Sequence, residues 1–434
     1  MTTLIRGGRV VDPSTGLDGL FDILLSGGKI AAVGTRLDAV PERTIDVTGL
    51  VVVPGLIDMH VHLREPGFES KETIATGTRA AARGGFTTVC AMPNTNPVND
   101  SRAVTERILA EAGRNAVVNV LPIAAVTRGG RGEEIVDMND LMASGAVAFS
   151  DDGLPVMNSR VMRQALAAAK SSGGLVIDHC EDRALAEGGA MHEGPVAARL
   201  GLAGIPSAAE EIMIARDIIL AEALKTRVHI AHLSTAGGVR SVAQARSRGV
   251  RVSAEATPHH LLLTDAALGS RDTNFKMNPP LRAESDVAAL VESVRTGVVD
   301  VIATDHAPHT AEEKSRGFDK APFGIVGLET AVSLVLDRFV HRKVISLNRF
   351  IELLSINPAR LLGLAGKGRI AAGADADLTV LDLDHQTTVD KNHFESKGRN
   401  TPFDGWTLKG GVAMTISRGH VVYPFGDNGT TQRA

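Results

Sequence analysis

Residues 56–62 read LIDMHVH, an apolar run of strand length that ends in two histidines one residue apart. Seven further apolar runs follow it, and stretches with helical patterning lie between them. Eight such units within about 300 residues are typical of a parallel (β/α)8 barrel, which we predict for this part of the chain. An open, doubly wound sheet is the alternative, but no GxGxxG motif follows a predicted strand. The predicted strands cover residues 56–62, 87–92, 117–123, 146–150, 175–179, 228–232, 250–256 and 299–304.

The two ends of the chain have a different pattern, in which short apolar stretches alternate with glycine turns. One of these turns is Ser26-Gly27-Gly28-Lys29, which lies between two apolar stretches and is typical of a hairpin. Neither end has enough apolar residues to form a core alone. We therefore predict two domains: residues 1–54 and 366–434 form one discontinuous β-sandwich, and residues 55–365 form the barrel.

The composition of the 434 residues is typical of a globular protein, with 44% hydrophobic and 22% charged residues. A net charge of -4, one Trp and one Tyr offer little to a nucleic acid, so we expect no such partner. The N-terminal residues lack the apolar core of a signal peptide, and no run is long enough to cross a membrane. Cys90 and Cys180 lie in apolar runs, which indicates buried thiols and a cytoplasmic protein rather than a disulfide framework. Burial also explains Cys180 better than a nucleophilic role does.

Polar side chains stand at the points where the predicted strands end. The parallel strands of a barrel have their carboxyl ends on one face, and active sites are built there. We therefore expect these side chains to converge. They are His60 and His62 on the first strand, Asn94 after the second, Asp151 and Asp152 after the fourth, His179 on the fifth, His232 on the sixth and Asp305 after the eighth.

The histidines among these residues indicate a metal site. Residues i and i+2 of a strand share a face, so His60 and His62 can point to the same side. Alone, the pair would fit a polar turn or two core histidines as well as it fits a metal site. The strand ends that follow add further imidazoles and carboxylates, which suit zinc. His229 has the opposite parity to His232 and is predicted to face away from the barrel interior.

These features together resemble the cyclic amidohydrolases over nearly the whole chain. More narrowly, six motifs in the expected order resemble the long, bacterial class I type of the dihydroorotase family. The HxH element alone would identify only the superfamily. The motifs are HLREPG (62–67), MPNT (92–95), SDDG (150–153), NPPLR (278–282), DHAPH (305–309) and APFG (321–324).

The resemblance implies reversible interconversion of N-carbamoyl-L-aspartate and (S)-dihydroorotate in pyrimidine synthesis. It also implies one or two zinc ions, which lower the pKa of a bound water from 15.7 to about 7 and polarise the amide carbonyl. Asp305 is the predicted catalytic residue, which takes a proton from the attacking water and passes it to the ring nitrogen. The implied metal ligands are His60, His62, Asp152, His179, His232 and Asp305.

The free carboxylate of this substrate needs donors away from the metal. Arg64 offers a bidentate fork, and the resemblance implies that Asn94 and His309 add further donors. An ion pair with Glu65 is the alternative role for Arg64. Without the resemblance, Asn94 and Asn278 would be interpreted as turn formers. The predicted substrate contacts are His62, Leu63, Arg64, Asn94, Asn278, His309, Phe323 and Gly324, of which Asn278 and the backbone of the last two contact the ring.

Many relatives join two metal ions through a carboxylated lysine after the fourth strand. Here residues 147–153 read VAFSDDG, and the next lysine is Lys170, so a carbamate cannot form at this position. A carboxylate can take its place. Strand parity does not choose between Asp151 and Asp152, but the resemblance favours Asp152 and leaves Asp151 as a supporting or turn residue.

Two other functions share this scaffold. A hydantoinase, dihydropyrimidinase or allantoinase acts on rings without the carboxylate, and Arg64 together with the NPPLR motif argues against it. A non-catalytic chain that only supports aspartate transcarbamoylase is expected to lack metal ligands, whereas this chain keeps every candidate. The resemblance implies a small-molecule substrate and a homodimer, and it allows assembly with aspartate transcarbamoylase.

The stretch after the fifth strand, residues 182–207, is long for a connection that usually has about 2–6 residues. Its glycines and charged residues predict a mobile or partner-contacting loop. The alternative is a short extra helix packed on the barrel.

Overall fold

The structure, a computed structural model, describes residues 2–424 as a mixture of helices and strands, which confirms the predicted α/β class. Met1 and residues 425–434 lie outside the described residues, and these include the end of the predicted C-terminal domain segment. None of the helices described is both long and apolar enough to cross a membrane.

The bounds of the regular elements are as follows. The strands are β1 (Thr2–Arg6), β2 (Arg9–Asp12), β3 (Leu17–Leu20), β4 (Asp22–Ser26), β5 (Lys29–Gly34), β6 (Arg43–Asp46), β7 (Val51–Pro54), β8 (Leu56–Val61), β9 (Phe86–Ala91), β10 (Asn119–Ala124), β11 (Ala148–Phe149), β12 (Ile177–Asp178), β13 (Met191–His192), β14 (Gly204–Ile205), β15 (Arg227–Ile230), β16 (Arg251–Ala256), β17 (Val301–Ile302), β18 (Leu378–Thr388), β19 (Thr407–Ser417) and β20 (His420–Tyr423). The α-helices are α1 (Ile74–Arg83), α2 (Arg102–Asn115), α3 (Met138–Ala143), α4 (Ser159–Ser172), α5 (Arg183–Ala186), α6 (Pro195–Leu200), α7 (Ser207–Leu224), α8 (Ala236–Ser247), α9 (Pro258–Leu262), α10 (Glu284–Thr296), α11 (Ala311–Lys314), α12 (Ala331–Val335), α13 (Leu347–Ile351) and α14 (Asn357–Leu361). Turns of π-helix follow α12 and α13 at Leu336–Val340 and Glu352–Ile356.

Strands from both ends of the chain form two sheets. The first has the order β5-β4-β1-β6 and uses only N-terminal strands. The second has the order β20-β19-β18-β7-β2-β3, so that C-terminal β18 pairs with N-terminal β7. Ile23, Val52 and Ile416 belong to one buried cluster with members in both sheets. The two chain ends therefore share one core, as their low apolar content requires.

Among the strands described between these ends, eight belong to two parallel sheets, and one of them lies at each position predicted from the sequence. They form two four-stranded sheets with the orders β11-β10-β9-β8 and β12-β15-β16-β17. The sheets meet at two places, through a bridge between Phe149 and Val176 and another between Val61 and His306. At the second place the amide of His62 donates to the carbonyl of His306 at 2.9 Å. Strand pairing therefore continues from each sheet into the other.

The central strands are buried on both sides. Met59 of β8 packs with Ile123 of β10 and Ile177 of β12 in a small apolar cluster. Leu56 and Val61 of β8 belong instead to the large cluster that includes the inner faces of the helices. Such burial on both faces is typical of parallel strands covered by helices. The residues at the strand ends are thus held by a rigid, buried backbone.

Short elements occupy the long stretch after the fifth central strand. It contains α5, β13, α6 and β14, and Met191 pairs with Gly204 in parallel. Met191 and Ala197 are buried in a cluster with Leu263 and Phe318. In this stretch the structure therefore has short packed elements, two of them helices, as the alternative prediction expected.

Candidate metal centre and substrate cavity

A cavity of about 330 Å³ lies at the carboxyl ends of the central strands. His60 lies behind the cavity wall and is fully buried, with its Nε2 3.3 Å from Asp152 Oδ1. The side chain of Leu63 is buried in the large apolar core, so only its backbone can serve a ligand in the cavity. The other predicted site residues line the cavity: His62, Arg64, Asn94, Asp152, His179, His232, Asn278, Asp305, His309, Phe323 and Gly324.

One half of the ligand cluster joins the end of β8 to the end of β17. His62 Nε2 lies 3.0 Å from Asp305 Oδ1 and 3.4 Å from Asp152 Oδ2. His60 Nε2 lies 3.4 Å from the same Asp305 oxygen. Two imidazoles and two carboxylates from three strands therefore meet within contact distance.

The other half of the cluster joins the ends of β12 and β15. His179 Nδ1 lies 2.8 Å from His232 Nε2. Asp152 Oδ1 lies 3.6 Å from the first of these nitrogens and 3.5 Å from the second. Asp152 therefore contacts both halves. The ligand atoms form adjoining triads within 4.8 Å, namely His60–His62–Asp152, Asp152–His179–His232 and His60–His232–Asp305.

Several of these atoms lack the hydrogen bonds that buried polar atoms normally form. His60 Nε2, Asp152 Oδ1 and His232 Nδ1 have no hydrogen-bond partner among residues 2–424. His60 Nε2 and Asp152 Oδ1 lie 3.3 Å apart, but they are not aligned as donor and acceptor. Leaving such atoms unpaired is costly. A cation that both atoms could bind resolves this, so the residues present fit a metal ion.

The electrostatics of the cluster agree with that fit. Burial lowers the pKa of His179, but the carboxylates of Asp152 and Glu181 outweigh it and raise that pKa to about 10. Burial conversely raises the pKa of Asp152, but the surrounding histidines, His60 foremost, bring it well below its usual value. The cluster therefore favours positive charge, which a divalent cation supplies in place of protons.

Three residues of the site have left-handed backbone conformations that only glycine adopts easily. They are Arg64 with φ 62°, His232 with φ 28° and Asp305 with φ 46°. Strain of this kind is concentrated at functional sites. The left-handed backbone at His232 also explains why His229 was wrongly predicted to face away from the interior. Strand β15 ends at Ile230, and the turned backbone brings His232 to the cluster, although His229 also faces inward.

Glu255 is a buried residue of the site that the sequence analysis missed. Its Oε1 lies 2.6 Å from His60 Nδ1, and its Oε2 lies 3.2 Å from His229 Nε2. The signal was present, because Glu255 is the one carboxylate in the predicted strand of residues 250–256. Buried charges are rare unless they are paired. A carboxylate inside a predicted core strand should therefore be examined as part of a site.

The structure distinguishes the two adjacent aspartates after β11. Asp151 accepts hydrogen bonds from the amides of Val126 and Thr127, at 2.7 and 3.1 Å, and from the Thr127 hydroxyl. Asp152 instead contacts the histidine cluster. Lys170 lies at the end of α4, where its Nζ donates to the carbonyl of Leu224 at 2.9 Å. Of the described residues that line the cavity, none is a lysine.

The opposite wall of the cavity carries positive charge. Arg64 Nε donates to the carbonyl of Pro308 at 3.3 Å, and Arg64 Nη2 lies 3.4 Å from His309 Nε2. Burial, with Arg64 and Lys71 nearby, lowers the pKa of His309 to about 3. His309 is therefore neutral at pH 7. Asn94 accepts from His62 Nδ1 at 2.9 Å, so its NH2 group is the part that a ligand can use.

Two buried lysines hold the segment that ends in Phe323-Gly324. Lys314 Nζ donates to the carbonyls of Pro322 and Gly324, both at 3.1 Å. Lys276 Nζ donates to the carbonyl of Phe318 at 2.6 Å and lies 4.7 Å from the centre of the Phe323 ring. Gly324 has φ 149°, and a Cβ there would lie 2.6 Å from the Ala307 carbonyl oxygen. Only glycine fits this close approach.

The NPPLR motif contributes to the cavity through its first residue. Asn278 Nδ2 donates to Glu181 at 3.0 Å and lies 3.5 Å from His179 Nε2. Arg282, at the end of the motif, is buried away from the cavity and contacts Glu210 at 3.4 Å. Its role is therefore to join buried segments of the fold. Cys180 is buried too, and desolvation raises the pKa of its thiol well above the usual value, which excludes a thiolate nucleophile at neutral pH.

Curated relatives of about the same length are similar to this chain from end to end. Dihydroorotase of Pelotomaculum thermopropionicum is 56% identical over 97% of this chain and 98% of that protein. Dihydroorotase of Syntrophus aciditrophicus is 50% identical over 98% of this chain and 99% of that protein. A family described as Dihydro-orotase-like matches residues 49–237, and one described as Amidohydrolase family matches residues 220–423.

Solved structures share the fold at lower sequence identity. L-Hydantoinase (dihydropyrimidinase) from Arthrobacter aurescens superposes with a TM-score of 0.88 at 28% identity, over 96% of this chain and 95% of that one. Dihydropyrimidinase from Brevibacillus agri gives a TM-score of 0.83 at 28% identity, over 97% and 95% of the two chains. The chain therefore shares the overall fold of these hydantoinase and dihydropyrimidinase structures.

Proposed function

The chain belongs to the dihydroorotase family, and from that premise we propose that it interconverts N-carbamoyl-L-aspartate and (S)-dihydroorotate in pyrimidine synthesis. The observation that carries this proposal is the pairing of two unlike walls in one cavity. A metal-ligand cluster faces the half-buried guanidinium of Arg64, and dihydroorotate has a cyclic amide for the first and a carboxylate for the second. A ring without the carboxylate would offer no anion to the guanidinium.

The proposed metal ligands are the six residues of the two ligand halves. Imidazole nitrogen and carboxylate oxygen are ligands that suit zinc, which we propose as the metal. Bound in this cluster, one or two such ions would supply a Lewis acid for the amide carbonyl and an activated water. The ligands are His60, His62, Asp152, His179, His232 and Asp305.

Asp305 is the proposed catalytic acid and base. Its Oδ1 lies 3.0 Å from His62 Nε2, and its side chain is buried at the cavity wall. In ring opening, Asp305 accepts a proton from the attacking water as the oxygen bonds to the carbonyl carbon. It returns that proton to the ring nitrogen as the C–N bond breaks, and ring closure reverses these steps.

The carboxylate of the substrate is proposed to bind Arg64, with Asn94 and His309 beside it. A guanidinium binds a carboxylate through two parallel hydrogen bonds, which fix its orientation as well as its position. Other contacts hold the ring. The ring contacts are proposed for Asn278 and the backbone of Phe323 and Gly324, and His62 and the backbone of Leu63 are proposed as further substrate contacts.

Asp152 is proposed to take the position that a carboxylated lysine has in many relatives. It contacts histidines of both ligand halves, while Asp151 is held by the backbone at residues 126–127. A carboxylate has two oxygens and a fixed negative charge, so it can bridge two ions without carbon dioxide. Assembly of the centre should therefore need no bicarbonate.

For the architecture, we propose that the two parallel sheets form one (β/α)8 barrel covering residues 55–365. The bridges at Phe149–Val176 and Val61–His306 support closure on both sides. The two terminal segments, residues 1–54 and 366–434, are proposed to form one composite β-sandwich, which the pairing of β7 with β18 supports. A homodimer, association with aspartate transcarbamoylase and a cytoplasmic location are further proposals from the family resemblance.

Removal and return of the metal test the proposed function. The purified protein would be treated with a chelator, then titrated with Zn²⁺ without added bicarbonate, while metal content and turnover of dihydroorotate are followed together. We expect turnover to disappear with the metal and to return with it. Full turnover by metal-free protein, or no turnover of dihydroorotate by metal-loaded protein, would contradict the proposal.

A further inference from the structure

Glu255 on β16 makes three contacts, although no part of its side chain reaches solvent. Its Oε1 lies 2.6 Å from Nδ1 of His60 and 3.3 Å from the backbone amide of His232. Its Oε2 lies 3.2 Å from Nε2 of His229. A buried carboxylate with only donors around it is well satisfied, and it requires a hydrogen on each of those nitrogens.

The contact with His60 determines which of its ring nitrogens can bind a metal. Because Nδ1 donates to Glu255, the lone pair of the neutral ring lies on Nε2. That Nε2 has no hydrogen-bond partner among residues 2–424, and it lies 3.3 Å from Asp152 and 3.4 Å from Asp305. Glu255 thus leaves free the nitrogen that faces the cluster.

The contact with His232 reaches a second ligand on a different strand. His232 follows β15 with φ 28°, a conformation that a residue with a side chain rarely adopts without support. The amide of His232 donates to the same Glu255 oxygen that His60 contacts. One carboxylate therefore connects the end of β8 to the turn after β15.

We propose that Glu255 is a positioning residue of the metal centre, which fixes the tautomer and ring orientation of His60 and supports the turned backbone at His232. This inference rests on the proposed metal centre and adds a residue that does not touch the ion. Carboxylates that accept from the second nitrogen of a ligating histidine orient that ligand and make it more basic. Their loss usually lowers metal affinity by about 10- to 100-fold.

Ser253 provides a matched control on the same strand. Its Oγ lies 2.8 Å from Nδ1 of His229, so it is part of the same buried chain but does not contact His60. If Glu255 only balanced charge within the hydrogen-bonded series Ser253–His229–Glu255, then replacing Ser253 or Glu255 would have similar effects on metal binding. If Glu255 positions the ligand, then only its own replacement affects the metal.

The experiment compares Zn²⁺ affinity of wild type, Glu255→Leu, Glu255→Gln and Ser253→Ala by competition with a chelating dye. The absorption spectrum of the Co²⁺-loaded proteins and the thermal midpoint of the metal-free proteins are measured alongside. We expect Glu255→Leu to bind Zn²⁺ about 10- to 100-fold more weakly, with a changed Co²⁺ spectrum. Glu255→Gln, whose amide oxygen can still accept from His60, should fall between Glu255→Leu and wild type, and Ser253→Ala should match wild type.

The possible outcomes separate this inference from the proposed function. Absence of Zn²⁺ binding by wild type would overturn the metal centre itself. Normal affinity and an unchanged Co²⁺ spectrum in a folded Glu255→Leu would overturn the role of Glu255 alone, as would equal losses in Ser253→Ala. If Glu255→Leu does not fold, Glu255→Gln decides, because wild-type affinity in that variant would contradict the inference.

Discussion

On one side of the cavity, side chains from the ends of five central strands contact one another, whereas on the other side the polar groups come from connecting segments. The first group, the metal side, consists of the six proposed metal ligands. The second, the carboxylate side, consists of Arg64, Asn94 and His309. On the carboxylate side, Arg64 is held by the carbonyl of Pro308 and lies against neutral His309.

The two sides also differ in charge. The carboxylates of Asp152 and Asp305 lie on the metal side and attract a cation. Arg64 gives the carboxylate side its positive charge, while Lys71 behind His309 is paired with Glu313 at 2.9 Å. Opposite charges at the two ends of one cavity orient a substrate that has an electrophilic amide at one end and an anion at the other. Substitutions on the two sides should therefore differ in their effects on metal content and on turnover.

The largest effect is expected when Asp152 on the metal side is replaced. Asp152→Ala should lose metal and reduce turnover of dihydroorotate by more than about 100-fold. Loss of a residue that only supports a metal ligand costs at most about 100-fold, and loss of a ligand itself should cost more. Asp151→Ala is the matched control, because Asp151 is bound by backbone amides rather than by the histidines. It should keep its metal and lose much less activity. Metal content and turnover are measured on both variants without added bicarbonate.

The reverse ranking of these two variants would contradict the assignment of Asp152. A strict requirement for bicarbonate during metal loading would contradict it as well, since a carboxylate ligand needs no carbon dioxide.

A smaller effect of a different kind is expected on the carboxylate side. Arg64→Met should keep normal metal content while kcat/KM for dihydroorotate falls by about 10- to 150-fold, which corresponds to roughly 1.5–3 kcal/mol for a charge-assisted hydrogen bond. Arg316→Met, which replaces an exposed arginine, serves as the control. Metal loss in Arg64→Met, or near-normal kcat/KM, would show that the two sides are not separable in this way.

The smallest expected effect is on the free energy of unfolding, and it concerns the buried lysine Lys314 behind the carboxylate side. Burial, with Lys276 nearby, lowers the pKa of Lys314 from 10.5 to about 7. Between pH 7 and 10.5 the unfolded chain therefore binds more protons than the folded one, and the free energy of unfolding rises with pH. The gain is at most about 1.4 kcal/mol for each pH unit.

Lys314→Met should remove this dependence, so the difference in thermal midpoint between Lys314→Met and wild type should be most favourable to the variant at pH 7 and should move against it towards pH 10. Loss of the hydrogen bonds to the carbonyls of Pro322 and Gly324 lowers the midpoint of the variant at every pH. Lys320→Met, at an exposed lysine of the same segment, should follow wild type. A difference between Lys314→Met and wild type that stays constant with pH would mean that Lys314 titrates normally.

Much of this site could be predicted from the sequence because strand ends carry strong local signals. The spacing of His60 and His62 and the polar residues after later strands predicted a cluster of side chains that the structure brings together, whereas the choice of Asp152 over Asp151 came from the family resemblance. Parity failed at His232, since periodicity describes a strand and not the left-handed residue that follows it. Glu255 was missed because its importance depends on a contact with a residue 195 positions away.

The carboxylate side was harder to predict for the same reason. Arg64, Asn94 and His309 were assigned through family resemblance, because loop residues have no periodicity that fixes their direction. The lysines that hold Phe323-Gly324 bind backbone carbonyls, and sequence alone does not show which carbonyls come close. The packed elements within residues 182–207 depend likewise on burial of Met191 and Ala197 by distant residues.

Comparing dihydroorotate with dihydrouracil, the same ring without the carboxylate, tests most directly whether the two sides of the cavity act on one substrate. Metal-loaded wild type and Arg64→Met would be assayed for kcat/KM on both compounds. We expect wild type to prefer dihydroorotate by at least about 10- to 150-fold, and Arg64→Met to lose most of that preference while its activity on dihydrouracil changes little. Equal or better turnover of dihydrouracil by wild type would contradict the account and indicate an amidohydrolase of the hydantoinase or dihydropyrimidinase kind.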